Sequence, residues 1–115
     1  MITDVNQLVK MLSELPGKIR DQEKVFIESK AVLDLAKLSL SVAKAQSILE
    51  STGNATEKNA QAVRDTEIEA SNLIQAQKET DLEEAGLKYL ENRFVSLRKV
   101  SSIETELMRV NVSGN

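Results

Sequence analysis

Carboxylates are the only groups in this 115-residue chain numerous enough to suggest acid–base chemistry. Glu67 stands two residues from both Asp65 and Glu69, and Glu79 stands four from Glu83. A catalytic pair needs a pocket that raises one pKa and excludes water. The flanking sequence supplies no such pocket, and carboxylates four apart on a helix are a common solvated pattern. The chain has no Cys and no His. Their absence removes the usual zinc sites, thiol chemistry, disulfides and every triad built on imidazole. No Asp-rich loop has cation-ligand spacing, and Gly53 lacks the Gly-x-Gly or Gly-Lys-Ser/Thr context of a phosphate cradle. The expectation is no catalysis, no metal and no cofactor.

A different kind of site is suggested by Lys88-Tyr89-Leu90-Glu91-Asn92-Arg93-Phe94-Val95-Ser96-Leu97-Arg98-Lys99. Cations beside a close pair of aromatics suit a nucleic-acid or acidic surface, which makes Lys88, Arg93, Arg98 and Lys99 candidate partner-binding residues. The plainer reading puts Leu90, Phe94 and Leu97 on an inward seam with the cations solvating its rim. A net charge of −3 is too small to attract or repel nucleic acid in general. Its distribution is uneven. Seven acidic residues from Asp65 to Glu84 face only Lys78, and further on Lys88, Arg93, Arg98 and Lys99 outnumber Glu91.

The elements that carry these residues are helices. Ala, Leu, Glu, Lys, Gln and Ser dominate, and strand-type alternation is absent. Residues 4–15 read as a short amphipathic helix with Thr3 or Asp4 as N-cap and Val5, Leu8, Val9, Leu12 and Leu15 at helical spacing. Pro16-Gly17 is expected to break or kink the path, because proline lacks a donor and disfavours a helical residue before it. A first long helix follows over 18–51, a loop over 52–58, a second long helix over 59–110 and a frayed tail over 111–115. In the loop, Gly53 suits a left-handed position, and Asn54 to Glu57 has capping-box spacing, with Asn59 as a later N-cap. Gln75 to Gly86 reads as exposed or weakly packed. Gly86 marks a bend or a close helix approach, level with Pro16-Gly17 if the arms pair about the loop.

The fold expected is all-α: one domain, a long antiparallel helical hairpin with a short N-terminal helix. The first arm carries two apolar stripes. Ala31, Leu35, Leu38, Val42, Ala45 and Leu49 repeat by four and three, and Val25, Val32, Ala36 and Ala43 with Leu33 and Leu40 lie on another side. One neighbouring helix cannot cover both, so the hairpin is expected to assemble into a multi-helix bundle as a dimer or larger homo-oligomer. Its expected interface is Leu35, Leu38, Val42, Leu49, Leu90, Phe94 and Leu97. The stretch Ala31–Leu49 contains Asp34, Lys37 and Lys44, too polar to span a bilayer, and Met-Ile-Thr-Asp does not open a signal peptide. A cytoplasmic protein without membrane contact is expected.

The plan resembles small helical-hairpin accessory proteins encoded by phages and prophages of Gram-positive bacteria. The residues that carry the resemblance are Thr52-Gly53-Asn54-Ala55-Thr56-Glu57-Lys58-Asn59-Ala60 with Arg64, then Leu87, Leu90, Phe94, Leu97 and Arg98. It spans roughly residues 28 to 110. The resemblance implies an early-region factor acting in the host cytoplasm: an inhibitor of a host system that works on an unidentified protein partner, or a nucleic-acid-binding accessory of replication or recombination. Secreted hairpins of type VII systems share the plan, but their Trp-x-Gly turn is missing from a chain that has no Trp.

Overall fold

The computed structural model describes residues 4–113, with side chains over residues 4–110. Among the described residues there are three helices and no strand: α1 (Val5–Glu50), α2 (Ala55–Asp65) and α3 (Glu67–Ser113). The chain is a helical hairpin in which α1 packs on α3. It divides into two compact units. One holds residues up to Lys24 and from Glu84 onward, and the other holds Val25–Glu83.

In the first unit Asp4 caps α1. Its carboxylate accepts from the Asn6 N–H at 2.9 Å, satisfying one of the free donors at the helix start. Thr3, the other expected cap, lies outside the described residues. Leu8, Leu15 and Leu97 form the buried cluster, with Met11, Leu12, Leu90, Phe94 and Val100 packed against it. The separate helices expected over 4–15 and 18–51 are one helix, because α1 continues through Pro16. An interior proline costs about 3 kcal/mol. Apolar burial on both sides offsets it, since Leu12 and Leu15 before the proline and Ile19 after it are all buried or half-buried. Gly86 does mark a close approach, but to Gln22 and not to Pro16-Gly17. A Cβ there would lie 3.2 Å from Gln22 Nε2. Mirroring Gly86 about the middle of a 52–58 loop lands near residue 24, so the loop expected from the sequence already pointed to the level of Gln22 and not to Pro16-Gly17.

In the second unit the turn occupies only residues 51–54, between α1 and α2. Gly53 takes φ 110°, and a Cβ there would collide with the Glu57 side chain. Asn54, not Asn59, is the N-cap, its side chain accepting from Glu57 N–H at 2.9 Å. The second arm is also not continuous. It is interrupted at Thr66, whose backbone leaves the helical region (φ −115°, ψ 23°). Thr66 is 1 % exposed, and both its N–H and its hydroxyl converge on the Ala62 carbonyl, at 3.1 and 2.7 Å. A hydroxyl competing for that carbonyl bends helices. The stretch from Gln75 is better packed than its polarity suggested. Ala76 and Thr80 are buried, and the Thr80 hydroxyl donates to Ser29 O at 3.2 Å. At the far end α3 stays helical through Ser113, so the expected tail is shorter, with Gly114 and Asn115 outside the described residues.

Candidate interaction surface

Burial along α1 in the second unit follows one stripe. Phe26, Ser29, Leu33, Ala36, Leu40, Ala43 and Ser47 are buried or half-buried, and every other residue from Val25 to Leu49 is exposed. Their spacing alternates three and four, the geometry of a knobs-into-holes seam. The seam includes polar residues that meet partners on the returning chain: Ser29 through Thr80, and Ser47 through Asp65.

The six residues Ala31, Leu35, Leu38, Val42, Ala45 and Leu49 each stand two positions after a seam residue, about 200° further round the helix. They form a second three-and-four stripe on the outer side of α1. Leu35 is 64 % exposed, Leu38 60 % and Leu49 85 %. Four of the residues expected at an oligomer contact, Leu35, Leu38, Val42 and Leu49, therefore lie uncovered on one face. The other three do not join them. Leu97 is 6 % exposed in the core of the first unit, and Leu90 and Phe94 pack against that core, so the chain's own hairpin uses all three.

The candidate cations do not form one surface. At about 100° per residue, only Lys88 and Lys99 share a side of α3, while Arg93 and Arg98 point two other ways. Lys88 Nζ is 2.9 Å from Glu84 Oε1, a hydrogen bond and charge that hold its pKa above the usual lysine value. Arg93 donates to Met11 Sδ at 4.0 Å, and the Arg98 guanidinium lies 5.8 Å from the Phe94 ring centre. Arg98 and Lys99 both border an open, largely apolar hollow with Val95, Ser102 and Ile103.

The carboxylates fare no better as a reacting pair. Asp65 is held below the usual aspartate value chiefly by the Ser47 hydroxyl, which donates to Oδ2 at 2.7 Å. Gln61 Nε2 donates to Oδ1 at 2.6 Å, and the Arg64 charge adds to the effect. A carboxylate kept ionised in this way suits a fixed acceptor better than a base matched to neutral pH. Its surroundings are an open polar hollow of about 690 Å³, lined on one side by Ser47 and Glu50 and on the other by Gln61 and Arg64. Glu69 Oε2 is buried without a hydrogen-bond partner. No group of three or more His, Cys, Asp or Glu among the described residues could hold a metal ion, and no described helix is long and apolar enough to cross a membrane.

The sequence reading found only part of the inner seam: Leu33, Ala36, Leu40 and Ala43 stood in its second stripe, but with Val25 and Val32, which are exposed, and without Phe26, Ser29 and Ser47. Its signal was present, because the alternation of three and four runs back from Ser47 to Leu8 without interruption. No family model matches the chain, and no curated protein or solved structure matches it either.

Proposed function

We propose that the chain is a non-enzymatic protein–protein interaction protein whose working surface is the outer stripe of α1. The single observation that supports this reading is the second three-and-four stripe, left exposed while the first is filled by the hairpin itself. Helices are recognised through apolar anchors at such spacings, and contiguous exposed apolar surface marks interaction sites. The narrower role, an early phage factor that inhibits or assists a host system, draws its support from the sequence resemblance alone.

The reading is tested with Leu38→Glu, which puts a charge in the middle of the stripe. Tagged chain and variant are used to capture proteins from a lysate of cells that carry the gene, and the captured sets are compared by mass spectrometry. The expected result is loss of the specific partners, with circular dichroism showing the helix content of the parent. Identical captured sets from both would remove the outer stripe as the working surface.

A further inference from the structure

We infer that the outer stripe of α1 is filled by the same stripe of a second copy of this chain, running antiparallel about a two-fold axis between Leu38 and Val42. The inference rests on the interaction reading above and names its partner. A two-fold contact uses one patch twice, so the patch must complement itself. Antiparallel pairing about that axis sets Leu38 against Val42 of the partner, Leu35 against Ala45 and Ala31 against Leu49. In the two outer pairs a leucine meets an alanine, as close packing of facing layers requires. Shifting the copies by a heptad leaves part of the stripe unpaired, so this register alone engages all six residues.

Charge and size agree. The positions flanking the stripe are Val32, Asp34, Ser39, Ser41, Gln46 and Ile48, so a single ionised residue borders the contact. Ser39 and Ser41 are small and lie on either side of the axis, where two helices approach most closely. Lys30, Lys37 and Lys44 fall about 130° round the helix from the stripe and meet no lysine of the partner.

The test uses the full chain, which has no cysteine to interfere. Sedimentation equilibrium at micromolar concentration should give a dimer. Ser39→Cys and Ser41→Cys should each be joined into covalent dimers by a short bismaleimide. Lys30→Cys should not, because its two copies lie about 30 Å apart along the helices. Leu35→Ala should weaken the dimer at least about tenfold. Ala45→Leu should weaken it too, although it adds apolar surface. The double variant, which swaps large and small across the same layer, should return to within about threefold of the parent. Circular dichroism on every variant checks that the hairpin is intact. A monomer at tens of micromolar overturns the inference, as does linking of Lys30→Cys without Ser39→Cys, or a double variant no tighter than the single ones. If the chain is a monomer and Leu38→Glu still loses its lysate partners, the second copy fails and the interaction reading stands. If Leu38→Glu changes neither self-association nor capture, both fail.

Discussion

Asp65 closes the second unit next to its turn, tying the end of α2 to Ser47 on α1. Because its folded pKa is depressed, it contributes stability that is present above its unfolded pKa and is lost as pH falls through the folded value. Ser47→Ala removes the largest cause of the depression. The Asp65 carboxyl should then titrate at higher pH, closer to the usual aspartate value, and acid unfolding should begin earlier. A carbon-13 NMR titration of that carboxyl reads the change directly. An unmoved titration would mean that Gln61 and Arg64 suffice to hold the charge.

Within α1, the proline is the element's least favourable residue. Pro16 lacks the N–H that would bond the Leu12 carbonyl, yet helix runs unbroken across it. Pro16→Ala restores that donor and relieves the ring's clash, so it should stabilise the chain by about 1–3 kcal/mol in urea melts. A destabilised variant would show that the proline ring contributes packing beyond its half-buried position. The sequence disclosed two helical arms, a turn at Gly53, the left-handed conformation of that glycine and the Asn54 cap, because each depends on local chemistry. It did not disclose which stripe of α1 meets α3. The outer stripe is the more apolar of the two, and the buried one carries Ser29 and Ser47, whose partners arrive only with the returning chain: the Thr80 hydroxyl donates to the Ser29 carbonyl, and the Ser47 hydroxyl donates to Asp65. The break at Thr66 was hidden for a similar reason. Threonine is an ordinary residue in a helical run until its hydroxyl is buried against the Ala62 carbonyl.

For the molecule as a whole, the exposed area and the neutral border of the outer stripe make one joint prediction. An association driven by apolar burial, with Asp34 as the only ion beside it, should change less than about threefold between low and high salt. Binding built on Lys88, Arg93, Arg98 and Lys99 against phosphate would fall steeply over the same range. Sedimentation at two salt concentrations separates these cases. The melting temperature should also rise with chain concentration, because a second copy that binds only the folded chain stabilises it by mass action.

The turn at Gly53 and Asn54 also governs the order in which the chain assembles. Ser47 and Asp65 are 18 residues apart, Ser29 and Thr80 are 51 apart, and Met11 and Arg93 are 82 apart. Closing a longer loop costs more entropy, so contacts beside the turn are the least expensive to make first. Each one formed shortens the effective loop for the next. Ser47→Ala should therefore act mainly by slowing refolding. Leu97→Ala, at a cost of about 2–5 kcal/mol, should act mainly by speeding unfolding. Stopped-flow chevrons of the two variants would expose the reverse order if Leu97→Ala depressed the folding limb instead.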